Sequence, residues 1–331
     1  MRKTPTKRGE LALIQQIRRD FNRRQTAGVR VGIGDDCAVL RPPRGHEVVV
    51  TTDFTLEGRH FRRDWHGPES AGHRTLARGL SDLAAMGAKP LAAFLSLALP
   101  RGLEKRWISL YLNGLRELAE RAGVPLAGGD TAEAPGDGVL ADIVLLGSLP
   151  EGTALLRSGA RAGDLLYCSG RLGGAAAELL YLQQDGKSSR RRANGIGEHP
   201  QLFPEPRLAV GARLREKGLA TACIDLSDGL SSDLAHLCEA SEVAAEIELS
   251  RIPLHPLAKG NVELAVHGGE DYELLFAARP ETKMPRAIAG VPLTCIGRFK
   301  RRGKAPQMSQ IAAYGRLTEL RRGGWEHLIG S

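Results

Sequence analysis

Apolar residues recur at helical spacing from Leu11 to Phe21 (LALIQQIRRDF), which predicts a helix. The segment GIGDDCAVL then turns into a strand, and the β-branched run Glu47–Thr52 (EVVVTT) predicts another, leaving Asp53 at its end. Glu69–Met86 reads as a helix stopped by Gly87 and Pro90. Leu91–Leu99 follows as a strand, Leu103–Ala122 as a helix ending before Gly123, and Val124–Ala127 and Val139–Leu146 as strands. Gly and Pro gather in Pro150–Gly163, and after that seam the order begins again. A strand at Asp164–Ser169, a turn at Gly170–Gly174 and a helix at Ala175–Gln183 lead into a polar, Arg-rich excursion over Asp185–Pro206. Beyond it come a helix at Pro206–Glu216, a strand at Ala222–Leu226, and a helix to about Ala240 with Ser227 and Asp228 as its N-cap residues. Glu246–Leu249 is a strand, and Glu270–Phe276 passes from a glycine turn into another. Strands and helices alternate in both halves. That predicts two α/β domains, 1–150 and 151–331, and argues against a helical bundle or a β-sandwich.

Composition narrows this picture. With 331 residues, two domains are the better expectation, and 42% hydrophobic content supports real cores. Few aromatics (5%) and 40 glycines suit small-residue packing and tight turns. The longest apolar run, Leu91–Pro100, is far too short to span a bilayer, and no signal-type apolar stretch follows the basic N-terminus, so the sequence reads as cytoplasmic with no membrane partner. The five cysteines form no CxxC pair and their number is odd, which favours free thiols over disulfides or a zinc site. A net charge of +8 is concentrated in short Arg and Lys runs without interleaved aromatics, which reads as solvated charge and not as a nucleic-acid surface.

Several familiar site signatures are absent. The only GKS, Gly186-Lys187-Ser188, has Tyr181 where a phosphate-binding loop needs its first glycine. Gly32-Ile33-Gly34 is followed by Cys37 where a dinucleotide fingerprint wants its third small residue. Neither an HRD with a downstream DFG nor a GxSxG elbow occurs.

What the chain does carry is a series of Asp-rich, glycine-bearing segments: GIGDDCAVL, TTDFTLEGRHF, SDLAAMGAKP, AGGDT, IDLSDGLSSD and HGGEDYELLF. Clustered aspartates repel unless a positive charge sits among them, and neighbouring glycines leave room for a ligand. Hard divalent cations take oxygen ligands, and Mg²⁺ typically uses a few carboxylates plus substrate phosphates. The pattern suggests a nucleotide-phosphate site built around Mg²⁺. Of the adjacent Asp35 and Asp36, one is expected to bind metal and the other to cap a turn. Thr51, Thr52 and Asp53 supply oxygen donors at a strand end. Asp82 sits in an Ala- and Leu-rich helix where aspartate is mildly unfavourable, and Asp225 and Asp228 can share one face of a helix start.

Taken in order, these motifs resemble the thiamine-monophosphate kinase family, within the ATP-binding superfamily that includes aminoimidazole-ribotide synthetase. The resemblance runs from about Gly9 to Leu328. It implies a mixed α/β, two-domain PurM-like fold, with an N-terminal sheet domain that pairs in a homodimer and a C-terminal α/β domain. It implies ATP- and Mg²⁺-dependent phosphorylation of thiamine monophosphate, with transfer driven by metal and positioning and no catalytic nucleophile. Asp36, Thr51, Thr52, Asp53, Asp82, Asp130, Asp225 and Asp228 are then Mg²⁺ ligands. Gly129, Asp130, Arg157 and Ser227 hold ATP, and His60, Glu270 and Trp325 meet the thiamine monophosphate. His267 departs from the small residue common at its position, and Thr51 from serine. Selenophosphate synthetase, in the same superfamily, would want a reactive Cys in an N-terminal glycine loop, and no cysteine precedes Cys37. A non-catalytic Mg-nucleotide sensor would have lost some of the metal ligands, and none is missing.

Overall fold

A computed structural model describes residues 8–21, 28–185, 199–303, 307–311 and 316–324. The chain divides into two units. The first comprises Met1–Gly79 and Pro90–Ser148, the second Leu80–Lys89 and Leu149–Ser331.

The first unit begins with helix α1 (Arg8–Phe21) and a short antiparallel pair, β1 (Val29–Val31) and β2 (Val39–Leu40). There follow β3 (His46–Leu56), α2 (Pro68–Ala85), β4 (Lys89–Leu99), α3 (Lys105–Ala122), β5 (Leu126–Glu133) and β6 (Leu140–Pro150). The last residues of α2 belong to the second unit. The sheet order is β3-β6-β4-β5, with β4 and β5 parallel and Ser96 opposite Asp130. Strand alternation is plain in β6, where Ala141, Ile143 and Leu145 are buried between half-buried neighbours. Helices α2 and α3 approach closely because glycines meet backbone. A Cβ on Gly72 would fall 1.9 Å from the Tyr111 carbonyl oxygen, and one on Gly114 would fall 2.0 Å from that of Glu69. Helix α3 ends on Gly123 in the left-handed conformation (φ 68°), whose amide returns to Ala119 and Glu120.

The second unit adds β7 (Leu165–Ser169), α4 (Gly174–Asp185), α5 (Leu208–Glu216), β8 (Ala222–Asp225), α6 (Leu230–Ala240), β9 (Val243–Glu248), α7 (Val262–His267), β10 (Leu274–Ala278), β11 (Ala287–Ile288), β12 (Val291–Arg301), β13 (Met308–Ile311) and β14 (Leu317–Glu319). Its sheet runs β14-β13-β9-β12-β7-β10-β8, with β11 paired to β12. The sheet is covered on both faces. Leu275 and Ala277 of β10 join a core with Leu234 and Leu237 of α6, while Leu274 and Phe276 join Val210 and Leu214 of α5 and Ala84 of α2.

The pairing is mostly antiparallel, so the alternation of helices and strands does not denote a doubly wound parallel sheet. Ser227 and Asp228 are not the caps of α6. Gly229 holds that position with no side-chain cap, and Asp233, one turn into the helix, accepts the Asp228 amide at 3.1 Å. The strands from β11 to β14 carry little sequence signal. Strand β12 has Pro292 near its start and exposes Arg298 and Lys300 around buried Phe299.

Candidate functional site

The site residues fall into three groups. The first lines a cavity of about 580 Å³ in the first unit, between the Gly32–Ala38 loop, Ile14 and Ile17 of α1, Phe94 and Leu97 of β4, and the Gly128–Thr131 stretch of β5. Asp35 turns one carboxylate oxygen back to accept the Asp36 amide at 2.9 Å, and both aspartates are exposed and line the cavity. On β5, Asp130 accepts the Thr131 amide at 2.8 Å through one oxygen. The Thr131 hydroxyl is buried and has no hydrogen-bond partner among the described residues. Gly129 has φ 148°, and a Cβ there would lie 1.9 Å from the Leu95 carbonyl oxygen, so contact with β4 by itself requires glycine at this position.

The second group is on β3, with two strands, β6 and β4, between it and β5. At about 4.8 Å per strand, that separates the groups by about 14 Å. Successive side chains point to opposite faces. Asp53 meets Arg78 of α2 at 3.4 Å, and Thr51 lies on the same side, near Gly79. The Thr52 hydroxyl faces the other way and donates to Asp142 at 2.8 Å. The three consecutive donors therefore do not form one side-chain set, and Thr52 is set apart from the other two. His60, in the loop after β3, accepts the Leu56 amide at 2.9 Å through Nδ1, and its carbonyl accepts from buried Arg74 at 3.0 Å.

The third group is in the second unit, where β8 runs out into the start of α6. Asp225 is buried and accepts the Ser81 hydroxyl at 2.7 Å, which places the next residue of α2, Asp82, beside this strand end. Burial raises the pKa of Asp233 well above the usual carboxylate range. The charges of Asp225 and Asp228 add to the rise, and the Asp228 amide and Arg157 oppose it. Asp225, Asp228, Asp233 and Arg157 thus share one electrostatic neighbourhood. The Arg157 carbonyl is tied to Ser241 at the end of α6 at 2.6 Å.

Against this loop runs His267–Glu273. The Glu270 amide donates to the Ser227 carbonyl at 2.8 Å and that of Tyr272 to Leu226 at 2.9 Å, so Glu270 and Ser227 lie side by side. Both Glu270 (φ 67°) and Tyr272 (φ 50°) adopt left-handed backbone, which is costly for residues with side chains and clusters at functional sites. Trp325 lies outside the described residues.

The donors are carboxylates and hydroxyls, a set that suits hard cations, and the orphaned Thr131 hydroxyl beside Asp130 fits such a ligand. Among the described residues, no three His, Cys, Asp or Glu side chains are gathered closely enough to hold a metal by themselves.

Comparison with known proteins identifies the lineage. Residues 34–149 match the AIR synthase related protein N-terminal domain, and 161–292 its C-terminal domain. The thiamine-monophosphate kinase of Escherichia coli (strain K12) is 38% identical over 301 residues, covering 88% of this chain and 90% of that protein. The chain belongs to the thiamine-monophosphate kinase family. The solved thiamine-monophosphate kinase of Stenotrophomonas maltophilia K279a aligns with TM-score 0.75 and 34% identity, over 89% of this chain and 95% of that one. AaThiL complexed with AMPPCP and TMP aligns with TM-score 0.74 and 27% identity, over 99% and 100%.

Within the family frame, the GGEDYEL segment holds more than its Glu270. Asp271 caps α4, accepting the amides of Gly173 at 2.7 Å and Ala175 at 3.2 Å. Burial pushes its pKa up to about 7, against the lowering by those amides. The fold therefore holds the Asp271 proton more tightly than the unfolded chain does. Its contribution to stability is full below about pH 4 and fades as pH rises through about 7. The Asp271→Asn variant should lose that part of the pH dependence, read as melting temperature against pH from 4 to 8. An unchanged slope would remove Asp271 as its source. Asp233 escapes a sequence reading because an acid in the first turn of a helix reads as ordinary dipole complementarity, and Asp271 because the helix it caps is about a hundred residues away in the chain.

Proposed function

We propose that this chain transfers the γ-phosphoryl group of ATP to the phosphate of thiamine monophosphate, giving thiamine diphosphate and ADP. Its membership of the thiamine-monophosphate kinase family over 88% of its length carries the reading. A related structure holding AMPPCP, an ATP analogue, together with TMP supports the pairing of substrates.

The residues make chemical sense of the transfer. A phosphate monoester has a second pKa of about 6, so the acceptor is largely deprotonated at neutral pH and needs no strong base. The difficulty is to bring two polyanions together. Mg²⁺, when bound, supplies the charge that offsets their repulsion. Asp36, Asp130 and Thr131 in the first unit, Thr51 and Asp53 on β3, and Asp82, Asp225 and Asp228 in the second unit are three separate sets of side chains suited to hold such ions. Gly129, Ser227 and Arg157 serve the nucleotide, and His60, Glu270 and Trp325 the thiamine moiety. Incubation with ATP, Mg²⁺ and thiamine monophosphate, followed by chromatographic detection of thiamine diphosphate, tests the reading. No product, with the chain folded, overturns it.

The proposal extends to a homodimer in the cytoplasm. On β3, Val48, Val50 and Phe54 share one face and are 42%, 62% and 62% exposed, an apolar stripe on an edge strand of the kind that proteins cover. No helix among the described residues is long and apolar enough to cross a membrane. Light scattering is expected to give twice the chain mass of 35.6 kDa. A single-chain mass at micromolar concentration, or an unaltered dimer in Phe54→Lys, would remove this face as the interface.

A further inference from the structure

We propose that Gln201 is a positioning residue for thiamine monophosphate recognition, acting by fixing the carboxylate of Glu270. This rests on the reading of Glu270 as a contact to that substrate. Gln201 is only 1% exposed, and its Nε2 donates to Glu270 Oε2 at 2.9 Å. A buried amide side chain costs free energy unless its hydrogen bonds are made, so packing alone would favour an apolar residue here.

The segment that carries Gln201 is itself clamped. Glu178, buried on α4, accepts the backbone amides of Gln201 at 2.8 Å and Leu202 at 3.3 Å on one oxygen. Its other oxygen meets His199 Nδ1 at 2.6 Å, and the Phe203 amide closes the turn onto the His199 carbonyl at 2.8 Å. A continuous chain of bonds thus runs from α4 through Glu178 and Gln201 to Glu270. At the far end the Glu270 backbone is also held, by its amide bond to Ser227 and its left-handed conformation. Both the backbone and the carboxylate of Glu270 are set before substrate arrives. Thiamine carries a permanent positive charge and an aminopyrimidine donor. A carboxylate held in one orientation binds such a group without losing rotamer freedom on binding.

Gln201→Ala is expected to raise the KM for thiamine monophosphate about tenfold, the size expected for losing one hydrogen bond to a charged group, and to leave kcat and the KM for ATP within about twofold. Titration calorimetry with thiamine monophosphate alone should show the same loss. Gln201→Met keeps the volume without the donor and should behave alike, which covers a folding defect in the alanine variant. In a Glu270→Gln background, Gln201→Ala should add nothing further. If Glu270→Gln raises the KM and Gln201→Ala and Gln201→Met do not, the inference fails alone. If Glu270→Gln leaves the KM for thiamine monophosphate unchanged, the reading of Glu270 fails and takes the inference with it. Parallel losses for both substrates with a lower melting temperature would assign Gln201 to packing.

Discussion

Asp36→Asn is expected to lower kcat/KM by at least about a hundredfold, equivalent to ~2.7 kcal/mol of transition-state stabilisation, while Asp35→Asn stays within about threefold of the parent. The two residues are adjacent and chemically identical, so composition cannot separate them. Geometry separates them in one respect: one oxygen of the Asp35 carboxylate accepts the Asp36 amide at 2.9 Å, a bond that an asparagine oxygen can also accept. Both aspartates line the cavity with Asp130 and Thr131, and Asp36 is the one proposed to meet the cation. Losing its charge weakens metal binding at little cost to packing. Titration of the folded variants with Mg²⁺ in the presence of a non-hydrolysable ATP analogue gives a second reading, with weaker binding expected for Asp36→Asn alone. Equal losses for the two variants, or a near-parent rate for Asp36→Asn, would sink the assignment.

Legibility followed the physics of each signal. Helices α2 and α3 and strands β4 and β6 were legible because their apolar periodicity is long and Gly or Pro marks their ends. The positions of the acids were legible too, because aspartates beside glycines are conspicuous. Their orientations were not. Thr51, Thr52 and Asp53 read as one donor set, yet in a strand the middle side chain must face away, and Thr52 bonds Asp142 on the opposite face. Ser227 and Asp228 read as helix caps because Ser and Asp favour such positions. The bond from Asp233 back to the Asp228 amide satisfies the same need from the other direction, as in a capping box displaced by one residue. Gln201 gave no signal, since a lone glutamine in a polar segment looks solvated until a long-range contact buries it.

The HGGEDYELLF motif is conspicuous in the sequence, but its acids do different things in the fold: Asp271 caps α4, Glu270 is proposed to meet the substrate, and Glu273, in an ion pair with Arg207, has the largest expected effect on stability. Glu273 is 3% exposed, accepts Arg207 through both oxygens at 2.8 and 2.6 Å, and accepts the Ser169 hydroxyl at 2.5 Å, while the Leu274 amide donates to that hydroxyl at 2.8 Å. Gly170 lies against the same carboxylate, where a Cβ would fall 1.8 Å from Oε1. Glu273→Ala would leave the half-buried Arg207 guanidinium with Glu205 as its remaining neighbouring negative charge. Removing one partner of a buried pair costs about 3–5 kcal/mol. At about 2–4 °C per kcal/mol for a unit of this size, the melting temperature should fall by roughly 6–20 °C. Glu273→Gln keeps the shape and one acceptor and should lose less. The double variant Glu273→Leu/Arg207→Met removes both charges together, so its loss should be well below that of Glu273→Ala, because apolar replacement of a whole buried pair is often near neutral. A Glu273→Ala chain melting within about 2 °C of the parent would mean that water reaches Arg207 and that the pair contributes little.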